Sequence, residues 1–288
     1  MPTISAAEQT KSTWARPIKS YAAVPSLYRA FFEPFQGEGH SFPYTVLAPS
    51  NERFIHKASE MLICDLGHEI CVLEKSGNSF EPLFYPLEGI YYVEVRTVLL
   101  DSSIIISGLS REGLASTSTI KFNAITDYLF RPILDKMRVG AISINGAVQS
   151  SELGKFDHLV TVNFKFMNYA KHCLLAGDKV IHFILQPEIQ TSVLKIFGKT
   201  YFRTISPTQM AILTDRELII IREEKRGSER DKYGGIWDYI PLKKIISLSL
   251  IEKDNNLLML HIQLPESNHL ELLYQASAKD EIKRFMTI

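Results

Sequence analysis

Met210-Ala211-Ile212-Leu213-Thr214-Asp215 and Glu217-Leu218-Ile219-Ile220-Ile221-Arg222 are two apolar, β-branched runs separated only by Arg216. Runs this short and this rich in Ile and Leu, broken by Thr-Asp, read as two strands joined by a tight turn. Upstream lies a helical stretch, Tyr169 to Leu175, then Gly177-Asp178, then a strand from Val180 to Pro187. Downstream come Tyr239-Ile240-Pro241-Leu242-Lys243-Lys244-Ile245 and three further β-rich stretches, 246–251, 257–264 and 269–274. Ser277-Ala278-Lys279-Asp280 then has the spacing of a helix start, with Ile282, Phe285 and Met286 as the apolar face.

The same order occurs earlier in the chain. Tyr28-Arg29-Ala30-Phe31-Phe32 is helical, Gly37-Glu38 is a turn, and Phe42 to Pro49 is a strand. Met61 to Asp65 and Glu69 to Glu74 repeat the paired runs, and Tyr85-Pro86-Leu87-Glu88 repeats the later junction. Three β-rich stretches follow, 91–98, 102–107 and 117–122. Asn123 then caps a helix carrying Ile125, Leu129, Ile133, Leu134 and Met137 on one stripe, with Pro132 kinking it or starting a second helix.

Each half is therefore expected to hold about seven strands and a closing helix, an α+β class dominated by β, folded as a small barrel or sandwich. The expected division is a tail over 1–19, a first domain over 20–138, a linker over 139–157 and a second domain over 158–288. Gly140, Gly146, Gly154, Ser143, Ser150 and Ser151 mark the linker, although Ala141-Ile142-Ser143-Ile144 has the look of a docking strand. Trp14, in an otherwise polar tail, is expected to dock on its own domain.

Leu213-Thr214-Asp215-Arg216-Glu217-Leu218-Ile219-Ile220 and Tyr239 to Ile245 resemble strand junctions of bacterial pleckstrin-homology-like (PH-like) domains. The first half, with Cys64-Asp65-Leu66-Gly67-His68 and Tyr85-Pro86-Leu87-Glu88, is similar but less closely so. The resemblance implies tandem PH-like domains. Such modules bind lipids, peptides or proteins and rarely catalyse, and a shared fold names no substrate.

Composition narrows the function classes. The 288 residues carry 32 basic and 32 acidic side chains, so bulk charge argues against a nucleic-acid binder. Three cysteines make no disulfide framework and point to a reducing compartment, the cytoplasm. The N-terminus lacks the pattern of a secretory signal, and no apolar run is long enough to span a bilayer. Gly198-Lys199-Thr200 ends like a phosphate loop, but Val193 stands where the loop needs glycine, so Lys195 to Thr200 reads as a strand end and a turn. No two of the eight histidines are four residues apart, and no spacing marks a metal set or a cofactor site. His261 and His269 lie on separate expected strands, and any meeting of the two would be accidental. The histidines are expected to be structural, buried or on the surface, with no metal site. Cys64 and Cys71 read as buried strand thiols. No nucleophile–base spacing survives, so the chain is expected to be non-catalytic.

Charge divides unevenly. Residues 20–138 hold 10 basic and 14 acidic side chains, and residues 158–288 hold 18 basic and 15 acidic. The densest charged run, Arg222 to Gly235, lies between two expected strands. Within it Lys225, Arg226, Arg230 and Lys232 are the candidate ligand- or partner-facing residues, interleaved with four acids. The sequence thus points to a binding or scaffold protein that acts through protein contacts or self-association. Peripheral contact of the second half with anionic lipid or phosphorylated ligands is one alternative. An unrecognised enzyme or small-molecule binder using a barrel mouth is the other.

Overall fold

The structure, a computed structural model, describes residues 12–36, 41–50, 58–140, 148–197, 199–224, 234–253 and 256–287. The chain divides into two compact units, Met1–Ser143 and Ile144–Ile288.

In the first unit β1 (Arg16–Ile18), β2 (Tyr44–Ala48), β3 (Met61–Asp65), β4 (Glu69–Ser76) and β5 (Ser79–Pro86) form one antiparallel sheet in chain order. Then β6 (Ile90–Val98), β7 (Asp101–Leu109) and β8 (Ala115–Asn123) pair antiparallel in chain order. The helices are α1 (Arg29–Phe32) and α2 (Arg131–Val139).

The continuous apolar runs of β3 and β4 follow from burial on both faces. Side chains alternate across a strand. Ile63, Ile70 and Val72 join Ile104, Ile120, Phe122, Ile133 and Met137 in one core. Leu62, Cys64, Cys71 and Leu73 meet Tyr28, Phe32 and Ile18 in a second. The segment expected to be a loose tail therefore supplies a strand, with Ile18 opposite Thr45. Three residues carrying a proline give almost no strand signal, and β1 exists because Ile18 has a core to enter. Asn123 does cap, its Oδ1 accepting from Ile125 N at 3.1 Å. It begins a 3-10 segment, Ala124–Leu129, and Pro132 sits in the first turn of α2. Ile125 leaves the expected stripe and is exposed.

In the second unit the helices are α3 (Ser150–Gly154), α4 (Phe164–Cys173) and α5 (Lys279–Thr287). Asn163 caps α4, its Oδ1 accepting from Phe166 N. The strands are β9 (Val180–Gln186), β10 (Ile189–Ile196), β11 (Lys199–Ser206), β12 (Gln209–Thr214), β13 (Glu217–Arg222), β14 (Gly234–Pro241), β15 (Ser247–Lys253), β16 (Leu257–Gln263) and β17 (His269–Gln275). β9 pairs with β12, which continues to β13 and β14, while β15, β16 and β17 form a second antiparallel set. α4 packs against β13 and α5 against β9.

The two units share a plan of four strands, three strands and a helix, and they share local devices. Asp65 Oδ1 accepts from Gly67 N at 2.8 Å, and Thr214 Oγ1 accepts from Arg216 N at 3.2 Å, each closing the tight turn two residues on. Pro86 and Pro241 each precede a 3-10 turn whose first N–H reaches back across the sheet, Leu87 N to His68 O and Leu242 N to Arg216 O. Two features lie outside the shared plan. One is β1, and the other is the β10–β11 hairpin, inserted between β9 and β12. Strand counts consequently exceed the expected seven per half. Among the described residues the strands form open sheets with no closed barrel. The stretch expected to be a linker over 139–157 contains α3, whose Glu152 carboxylate accepts from Val180 N at 2.7 Å; residues 141–147, including Ala141 to Ile144, lie outside the described residues.

Candidate functional site

Most residues of the inserted hairpin whose burial is described are exposed. β10 and β11 pair only with each other among the described residues. Its root is firm. Ile189 is buried, and Thr204 Oγ1 bonds the Glu188 carboxylate. The flanking strands are pinned to β17, because Gln209 Nε2 donates to Leu273 O at 2.7 Å and Gln186 Oε1 accepts from Gln275 N at 3.0 Å.

Beyond the root the apolar side chains turn outward. Val193, Leu194, Tyr201 and Phe202 are each more than half exposed, and Phe197 in the turn is wholly exposed. Tyr201 and Phe202 are neighbours on one strand and so point to opposite faces, which leaves both faces of the hairpin apolar and open. Phe197 also has φ +47°, a left-handed conformation that is strained for an aromatic residue and costs about 1–3 kcal/mol. An isolated two-stranded hairpin is at best marginally stable in water. From Ile189 to Ser206 the sequence holds three cations, Lys195, Lys199 and Arg203, and no acid. At the root an open groove of about 600 Å³ is lined by uncharged groups, among them Ile189, Gln190, Ile205, Asn256 and Gln275.

The residues singled out in the sequence fall elsewhere. Lys225, Arg226, Arg230 and Lys232 lie outside the described residues. The start of their run serves folding: Arg222 Nη2 donates to the fully buried Asp238 at 2.7 Å, and Glu223 pairs with Lys165 at 3.0 Å. Cys64, Cys71 and Cys173 are buried and form no disulfide with one another. Cys71 stands directly opposite Cys64, and the hydrogen bond between the thiols, followed by burial, pushes the Cys71 pKa up. Glu69 is held by Arg111, whose guanidinium lies 3.6 Å from the centre of the Phe84 ring. Burial raises the Asp135 carboxyl above its ordinary range, against the opposing charges of Arg138 and Arg131. Trp14 is half-buried, with its indole Nε1 enclosed and without a hydrogen-bond partner. The fold does bring His261 and His269 together, their ring centroids 5.1 Å apart.

No sequence signal separates β10 and β11 from core strands. Val, Leu, Phe and Tyr at strand spacing normally mean an interior position, and only the pairing of β9 with β12 puts this hairpin outside. No helix among the described residues is long and apolar enough to cross a membrane. Neither a protein-family model nor a curated protein matches this chain.

Proposed function

We propose that this chain is a non-catalytic binding protein of two PH-like units, and that the second unit attaches to anionic membrane surfaces through the β10–β11 hairpin. The four-plus-three-strand plan with its closing helix, present twice, supports the PH-like reading. The observation that carries the membrane reading is a self-paired hairpin with exposed apolar side chains on both faces and at its turn, accompanied by three cations and no acid. A protein groove covers one face of a hairpin. A bilayer interface surrounds it, and the hairpin's own pairing satisfies most of the backbone there. Aromatic side chains suit that depth, while Lys195, Lys199 and Arg203 suit the headgroups. Near an anionic leaflet each cation contributes about 1 kcal/mol. Three buried thiols outside any disulfide suit the cytoplasm, where that leaflet is found.

Protein binding is the second reading, because the outer edges of β10 and β11, which pair with no further strand among the described residues, offer backbone to an added strand. Strand addition would leave both apolar faces in water, so it ranks below the lipid reading. Flotation with phosphatidylcholine vesicles, with and without phosphatidylserine, tests the choice. Capture by the anionic vesicles, lost at high salt, is the expected result. No capture by either would remove the membrane reading.

A further inference from the structure

The outer face of the last three strands carries a second site that owes nothing to the hairpin. In the register of β16 and β17, His261 faces Glu271 and Gln263 faces His269. Leu260, Ile262, Leu272 and Tyr274 are buried, so the alternating set His261, His269 and Glu271 points away from the core. Asn268 N bonds Pro265 O at 3.1 Å across the tight turn joining the strands. Glu266 and Ser267 both have positive φ, +55° and +61°, the signature of a type I′ turn. That turn fixes the register and thereby the distance between the two imidazoles. The rings lie 5.1 Å apart and 21° from parallel. One ligand atom from each of His261, His269 and Glu271 lies within 4.8 Å of the others.

We propose that His261, His269 and Glu271 form a binding site for a divalent transition ion, with Zn²⁺ the best match. Two imidazoles and a carboxylate are a zinc-type donor set, whereas Mg²⁺ and Ca²⁺ prefer oxygen alone. Zinc–nitrogen bonds of about 2.0–2.1 Å in tetrahedral geometry bring ligand atoms to roughly 3.3 Å of one another. Rotation of the partly or fully exposed side chains closes the remaining gap without moving either strand. Three protein ligands leave the fourth position to water. The carbonyl of Ser267 lies 3.4 Å from His269 Nδ1 and accepts a hydrogen bond from it in the Nδ1–H tautomer, which leaves Nε2 free to ligate. A bound ion staples β16 to β17 and stabilises the second unit by mass action.

Titration calorimetry of the whole chain with Zn²⁺, and separately with Mg²⁺, tests the site. Expected are one saturable Zn²⁺ site per chain, no comparable Mg²⁺ site and a Zn²⁺-dependent rise in Tm. His269→Asn and Glu271→Gln should fold normally, since both side chains are exposed, and weaken Zn²⁺ binding about tenfold or more. Co²⁺ should give the absorption of a tetrahedral site in the native chain and lose it in His269→Asn. Absence of saturable Zn²⁺ uptake by the native chain would overturn the proposal. So would a site of unchanged affinity in the folded His261→Asn/His269→Asn double variant, because the ion would then sit elsewhere.

Discussion

Leu194 and Tyr201 stand opposite each other across the β10–β11 hairpin, and they are 52% and 54% exposed. A cross-strand apolar pair in that register would ordinarily help to close a core. Here it lies on a hairpin that pairs with no other strand among the described residues, and three cations accompany it along the hairpin. The first prediction concerns those cations. Replacing Lys195, Lys199 and Arg203 together by serine should leave the fold intact. At about 1 kcal/mol each, the loss is roughly a hundredfold in affinity for phosphatidylserine vesicles. Vesicle titration at low salt reads it, and unchanged affinity would show that these cations do not face lipid.

The second prediction uses the close approach of two glycines. A Cβ on Gly108 would lie 2.6 Å from Gly89 O and 2.8 Å from Ile90 Cα, both backbone atoms that no side-chain rotation can clear. Gly108→Ala must therefore spread β6 from β7, at a cost of about 1–3 kcal/mol. Urea unfolding measures it, and a midpoint equal to that of the native chain would contradict the packing.

Asp178 carries the third. Its buried carboxylate accepts from Leu175 N and from Arg216 Nη2, both at 2.6 Å, tying the end of α4 to the β12–β13 turn. Asp178→Ala leaves a buried N–H without its acceptor and takes from Arg216 its nearer carboxylate, leaving Asp215 at 4.0 Å. About 2–4 kcal/mol should be lost. Hydrogen exchange should show the loss first at Leu175 and its neighbours.

The fourth is a pH dependence. Burial raises the Tyr28 and Tyr274 phenols, and the negative charges of Glu60 and Glu281 add to it. The Cys71 thiol is raised by its hydrogen bond to Cys64 and by burial. The folded chain thus keeps protons that the unfolded chain releases above the ordinary thiol and phenol values, about 8.5 and 10. Bound protons are then fewer in the unfolded state, so the contribution of these groups to stability is fully present below about pH 8 and declines as pH rises through those values. Urea midpoints taken from pH 7 to 11 should fall monotonically above the thiol range. In the same experiments Cys64 and Cys71 should resist alkylation until the chain unfolds.

How far the sequence could be read depended on where each strand sits. β3, β4, β12 and β13 were legible because burial on both faces writes an unbroken apolar run. The paired turns at Asp65 and Thr214 were legible because their side chains close the turn locally. β1 was not, since three residues with a central proline carry no periodic signal. The outward placement of Phe197, Tyr201 and Phe202 was not, because hydrophobicity does not say which side of a sheet is wet. The meeting of His261 and His269 depends on a turn built from Glu266 and Ser267, which lacks the Asn-Gly or Asp-Gly that usually announces it. The sequence drew attention to Lys225, Arg226, Arg230 and Lys232 by charge density, and those residues lie outside the described structure.

The most direct measurement places a fluorophore at the turn of the hairpin. Cys64, Cys71 and Cys173 are buried, so Phe197→Cys offers one accessible thiol for an environment-sensitive label. On addition of phosphatidylserine vesicles at low salt the emission should shift to the blue and brighten, and phosphatidylcholine vesicles should leave it unchanged. The same label at exposed Leu114, in the first unit, should keep its aqueous emission throughout. A label at position 197 that stays in water while the protein is bound to anionic vesicles would contradict the account.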